Sequence, residues 1–299
     1  MGKLIIFMVL FFAIKANAQT INGKVVDATS NKPLGYAIVV YNNNILLYTD
    51  SLGNFSLQRD SLKDSIYIQY IGYKKLAFAV SRLSNENVFK LVQQSQELEA
   101  VVVSNCRNFK EYSINRRAGS IKDYVGPGPE TKFIIIGRYL ANRDVNGYIK
   151  QMEIYTGNFN ASTHVPVRIH WYEWDTVNNM PGKELTATNI IVYPYQQGWN
   201  SFILPANTIY FSGGIAIGLE FIYPVEYMQQ YASQPTTDAK IAWLSNMNNR
   251  WSIGIQTTKD ASQTGFYQVN NLPVIKYSSR GRNLFIKPAV RFTVQKCLD

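Results

Sequence analysis

The residues best suited to chemistry lie along one short run, Val167 to Asp175, in which polar and apolar side chains alternate. Read as a strand, Val167, Ile169 and Trp171 share one face, while Arg168, His170, Tyr172 and Trp174 share the other. Aromatic rings beside hydrogen-bonding groups are a combination that recognises sugars: a flat ring stacks on the apolar sugar face and polar groups read the hydroxyls. A second alternating run, Gly213 to Ile222, places Glu220 as an acceptor among the small residues Gly214, Ala216 and Gly218. Arg168, His170, Tyr172, Trp174 and Glu220 are therefore expected to line a glycan-binding concavity. Alternating aromatics also build ordinary sandwich layers, so a packing role stands beside that reading.

Catalytic chemistry finds less support. Glu173 and Asp175 share a strand face two residues apart, as an acid–base pair or a calcium site could, but solvated charge at a strand end accounts for them. Histidine occurs twice, at His164 and His170, and His164 falls beside Pro166 in a loop where it is expected to be exposed. No H-E-x-x-H, G-x-S-x-G or P-loop string occurs. No catalytic residue, metal or cofactor is expected; a hydrolase using Glu173, Asp175 or Glu220 is the enzymatic alternative. The two cysteines, Cys106 and Cys297, bracket the second half of the chain. In an oxidising compartment they form a bridge if terminal strands bring them together, and otherwise stand as two thiols. Without histidine at suitable spacing they cannot build a structural zinc site.

The elements that must position these residues are strands. Apolar segments are short and alternating, Tyr, Val, Ile, Phe and Thr are frequent, and turns rich in Asn, Gly and Pro recur. No long stretch carries a 3.6-residue period, and Ser81 to Asn87 has room for one helical turn at most. About seven strands fit the first part, starting near Asn22, Ala37, Ile45, Phe55, Ser65, Lys75 and Val88. Cys106 to Pro129 is a polar connector ending in Gly126-Pro127-Gly128-Pro129, the composition of a boundary or long loop. Strands resume after Thr131 and close with Leu284 to Val294. The chain is expected to be all-β: two sandwiches over residues 19–104 and 131–299, joined by a linker at 105–130.

The string from Gly23 to Leu57 resembles the carboxypeptidase-regulatory-like domain. Its marks are Gly23, Val25 and Asp27, then Pro33-Leu34, then Thr49, Asp50, Gly53 and Phe55, then Ile71-Gly72-Tyr73, and finally Leu98, Val101, Val102 and Val103. The resemblance implies a transthyretin-like (prealbumin-like) sandwich, met in front of the plug of TonB-dependent receptors and at the start of exported Gram-negative proteins. The hairpin marks explain themselves structurally: Asp50 caps a turn, Gly53 supplies a positive φ and Phe55 packs inward. The roughly 195 residues that follow lack the repeated amphipathic strands of a receptor barrel. Ile149 to Phe221 loosely resembles jelly-roll-like modules of exported bacterial proteins, many of which bind carbohydrate or mediate adhesion.

Lys3, the apolar run Leu4 to Ile14 and Ala16-Asn17-Ala18 form a cleavable leader, which makes residues 1–18 a signal peptide and Gln19 the expected mature start. No later segment is apolar enough to span a bilayer as a helix, so no transmembrane segment is expected after cleavage. Loss of Lys3 and Lys15 with the leader lowers the formal charge from +10 to +8. The remaining basic residues are scattered, and export argues against nucleic acid as partner. The expectation is an exported, non-enzymatic interaction protein in the periplasm, on the outer membrane or in the medium. It would bind polysaccharide, or act as a docking scaffold for an envelope protein beside an outer-membrane system.

Overall fold

A computed structural model describes residues 20–42, 45–94, 108–115, 121, 123–125, 134–140, 145–157, 166–178, 180–206, 208–211, 214–222, 252–258, 265–269, 275–276 and 285–298. Residues 1–18, Leu98 to Cys106, Gly126 to Pro129 and His164 lie outside the described residues.

Seven strands build the first unit: β1 (Thr20–Asp27), β2 (Ile38–Tyr41), β3 (Ile45–Tyr48), β4 (Asn54–Gln58), β5 (Ser65–Gln69), β6 (Leu76–Ala79) and β7 (Glu86–Leu91). They form a three-stranded sheet ordered β4-β1-β7 and a four-stranded sheet ordered β3-β2-β5-β6. β1 and β7 run parallel; the other pairs are antiparallel. The two sheets close over Ile21, Val25, Val39, Phe55, Ile66, Ile68 and Phe89. The hairpin marks act as their chemistry dictates. The Asp50 carboxylate accepts the backbone N–H groups of Leu52 and Asn54 at 2.9 and 2.7 Å, Gly53 has φ 78°, and Phe55 stacks on Phe89 with ring centroids 5.6 Å apart. Asp27 accepts from Thr29, Ser30 and Tyr73. Those bonds, the Ser30 backbone N–H foremost, hold its carboxyl down at about 2.

The second unit is larger: β8 (Phe109–Ile114), β9 (Asp123–Val125), β10 (Ile134–Leu140), β11 (Gly147–Gly157), β12 (Val167–Asp175), β13 (Met180–Glu184), β14 (Ile190–Val192), β15 (Gly198–Ile203), β16 (Tyr210–Phe211), β17 (Ile215–Phe221), β18 (Ser252–Thr258), β19 (Gly265–Val269), β20 (Ile275–Lys276), β21 (Phe285–Pro288) and β22 (Val290–Cys297). One sheet runs β13-β12-β17-β10-β19-β20, with β14 also on β12. The other runs β21-β18-β11-β22-β8, with β15 and β16 on β11 and β9 on β18. Their facing sides meet in one core, where Trp171 of β12 touches Phe292 of β22 at 5.5 Å between ring centroids. The chain is thus all-β and built of sandwiches. Cys297, at the end of β22, is disulfide-bonded; Cys106, the other cysteine of the sequence, lies outside the described residues.

The four-stranded sheet of the first unit is apolar on both faces. Val39, Leu47, Ile66 and Ile68 point into its own core. Their strand neighbours Ile38, Val40, Leu46, Tyr48 and Tyr67 pack instead into the core of the second unit. A sheet covered on both sides reads as continuous apolar sequence, and Ile38-Val39-Val40-Tyr41 and Ile45-Leu46-Leu47-Tyr48 are such strings. The two sandwiches are therefore stacked through an apolar joint.

Candidate functional site

β12 and β17 lie side by side, antiparallel, with Arg168 opposite Glu220 and His170 opposite Gly218. This register brings the polar face of β12 onto Glu220, as alternation requires. The Arg168 guanidinium donates to both Glu220 oxygens at 3.0 and 2.9 Å. His170 Nε2 lies 2.6 Å from Glu220 Oε2, and its Nδ1 lies 2.7 Å from Glu184 Oε1 on β13. With a carboxylate against each ring nitrogen, the imidazolium donates through both. Two cations thus meet two anions, and the quartet is neutral as a whole.

The first unit completes this cluster. Tyr48 donates its hydroxyl to Glu220 Oε1 at 2.6 Å, and Arg168 donates a second arm to the backbone carbonyl of Tyr36. Tyr36 holds φ 61°, a left-handed conformation that is costly for a bulky residue and persists where its surroundings require it. Arg168 Nε donates to Asn189 Oδ1 at 2.7 Å, and Asn189 Nδ2 donates to the Tyr70 hydroxyl at 2.8 Å. Tyr193 donates to the Tyr36 hydroxyl at 3.1 Å. Gly72, at φ 81°, sits so close that a Cβ there would lie 2.5 Å from the Ala187 carbonyl oxygen.

Burial sets the electrostatics. Glu220 is 0% exposed, Arg168 2% and His170 5%. Burial alone pushes the Glu220 carboxyl up, but the Arg168 charge and the bonds from His170 and Tyr48 outweigh it and hold the group at about 2. Burial likewise pushes the His170 imidazole down, and the hydrogen bonds to Glu184 and Glu220 overcome this and raise it to about 9. Tyr172 is raised well above the usual phenol range, by burial and then by the Glu184 and Glu220 charges. Such a cluster resists titration through the neutral range, which suits a joint better than proton transfer.

The five residues expected to line a glycan concavity are thus brought together, but in a different use. Arg168 and Glu220 face the first unit, not solvent. Tyr172 is half-buried, stacked on His170 at 6.0 Å and edge-on to Phe266, and Trp174 packs against the same core. Tyr36 and Tyr48 of the first unit lie against Arg168 and Glu220, which are buried, so these two residues are engaged within the protein. Asp175 caps the β12–β13 turn, accepting from Val177 and Asn178, so its carboxylate is engaged apart from Glu173. Glu184, Asn189, Tyr36, Tyr48 and Tyr70 were not singled out from sequence. Of these, Tyr48 carried an indirect signal, as a tyrosine closing the otherwise apolar strand Ile45–Tyr48.

Among the described residues, no group of three or more His, Cys, Asp or Glu side chains is placed to hold a metal ion. No helix among them is long and apolar enough to cross a membrane.

The geometry defines two stacked sandwiches with a buried ionic joint. Residues 21–103 match the family model of the CarboxypepD_reg-like domain. No curated protein matches the sequence. Among solved structures, the clostridial cysteine protease Cwp84 after propeptide cleavage is 10% identical, with TM-score 0.38, covering 84% of this chain and 51% of that one. The cysteine protease and lectin-like domains of Cwp84, a surface layer associated protein of Clostridium difficile, align at 8% identity and TM-score 0.33 over 88% and 58%. A candidate carbohydrate binding protein from Bacteroides uniformis aligns at 9% identity and TM-score 0.20 over 93% and 98%. The chain spans a little over half the length of the two protease structures.

Proposed function

We propose that this chain is an exported, non-catalytic interaction protein in which two sandwich domains act as one recognition body. The observation that carries the reading is the joint: Arg168, His170, Glu184 and Glu220 neutralise one another where the domains meet. An acid–base site needs groups poised to exchange protons with a substrate. Here His170 and Glu220 are held charged, and burial separates them from solvent. A fixed joint suits recognition, because it holds the second domain in one geometry and leaves less to be ordered on binding. The first domain serves as a structural module whose motif residues build turns, and the second supplies the recognition surface. The leader read at residues 1–18 supports export to the periplasm, the outer membrane or the medium, with polysaccharide or an envelope protein as the partner class.

The test is expression of the full chain, followed by fractionation, N-terminal sequencing and assay on a panel of glycosides and peptides. The expected result is an exported protein beginning at Gln19 that turns over none of them. Turnover abolished by Glu220→Gln would overturn the non-catalytic reading.

A further inference from the structure

Resting on that reading, we infer that the outward face of β11, β15 and β22 binds a neutral, extended oligosaccharide, between an aromatic platform at Trp199–Tyr155 and another at Tyr148–Tyr210. The carrying observation is a β-bulge. Tyr148 and Tyr155 are seven residues apart on β11, an odd spacing that would put them on opposite faces of a regular strand. The register of β11 on β22 shifts between Ile149 and Gln151. As a result Ile149 and Met152, three apart, both point into the core, and Tyr148, Glu153 and Tyr155 all face outward. Bulges re-aim side chains in this way.

Each platform is paired and held. Tyr155 lies opposite Trp199 with ring centroids 5.3 Å apart, and Tyr148 opposite Tyr210 at 5.2 Å. The Arg291 guanidinium lies 3.6 Å from the Trp199 ring centroid and fixes its tilt. The turn that presents Trp199 is locked by fully buried Asn200, which accepts from Tyr195 and Gln196 and donates to Thr156 Oγ1 and the Gln196 and Gly198 carbonyls. The site is therefore built before any ligand arrives, which lowers the cost of binding.

The chemistry between the platforms selects the ligand. Gln151 donates to Ser201 at 2.6 Å, and Glu153 stands between Ser201 and Arg291. Planar donors and acceptors of both signs line the strip, matching hydroxyls and repelling a polyanion no less than they attract it. Among the described residues, Ile203, 82% exposed, is the large aliphatic exposed on this strip, so the strip lacks the dry apolar centre of a protein interface. Seven residues of strand set the platforms roughly 20 Å apart, a span for several sugar units and not for a monosaccharide.

The test uses the full exported chain and an array of neutral glucans, mannans and xylans from monosaccharide to long oligomer, with anionic glycans alongside. The expected result is binding that strengthens with chain length, falls about tenfold or more in Trp199→Ala, and falls for long oligomers alone in Tyr148→Ala. Near-UV circular dichroism and the melting temperature establish that each variant is folded. No binding to any neutral glycan by folded protein, an unchanged affinity in folded Trp199→Ala, or a preference for anionic glycans would each overturn the site. Turnover of a bound oligomer would instead overturn the non-catalytic reading and leave the site standing.

Discussion

Glu220 shows what a single buried charge demands. Its carboxylate accepts from Arg168, His170 and Tyr48, and removing one member leaves the others buried and unmatched. Breaking such a buried pair costs about 3–5 kcal/mol, so Glu220→Gln is expected to lower urea stability by that amount. Tyr48→Phe removes one hydrogen bond to a charged group and should cost about 1.5–3 kcal/mol. In the double variant the costs should fall short of their sum, since both act on one carboxylate; strict additivity would separate Tyr48 from the cluster. The pH dependence follows from the same contacts. His170 is raised from 6.5 to about 9, so its contribution is complete below pH 6.5 and is lost as pH climbs through about 9. Glu220 is lowered from 4.5 to about 2, so its contribution holds above pH 4.5 and is lost as pH falls toward 2. Urea midpoints measured across pH should therefore plateau between these limits. His170→Gln should lose the alkaline fall; an identical alkaline limb in that variant would contradict the assignment.

At the scale of elements, the β2–β3 hairpin makes the joint. Leu46 and Leu47 are adjacent yet serve different cores. Leu46→Ala opens a cavity against the second domain and is expected to cost about 2–5 kcal/mol, with loosening of amide protection on β12 and β17 as well as β3. Protection lost on β3 alone would show that the hairpin does not brace the second domain. This scale also marks how far the sequence could be read. The seven strands of the first domain, the turn chemistry of Asp50 and Gly53 and the alternation of Val167 to Asp175 follow from local rules, and the structure shows them. Alternation also paired Arg168 with His170 on one face. It could not say what meets Arg168 and Glu220, because their partners Tyr36 and Tyr48 lie more than a hundred positions away. The unbroken apolar strings of β2 and β3 carried that information in a form that a period-2 reading passes over. The bulge at Lys150 had no local mark either: Ile149-Lys150-Gln151 looks like ordinary strand, and the shift appears only in its pairing with β22.

Over the whole molecule, an apolar sheet face and a neutral ionic quartet join the two sandwiches into one body. Hinged modules would unfold one at a time, whereas locked ones share their stability. The outward face of the second domain would then be presented at a constant geometry relative to the first. Differential scanning calorimetry of the full chain, beside Glu220→Gln, reads this coupling. One cooperative transition is expected in the parent protein, and in the variant a lower transition that broadens or splits as the domains uncouple. Two resolved transitions in the parent, with the one belonging to the first domain unmoved by Glu220→Gln, would contradict it.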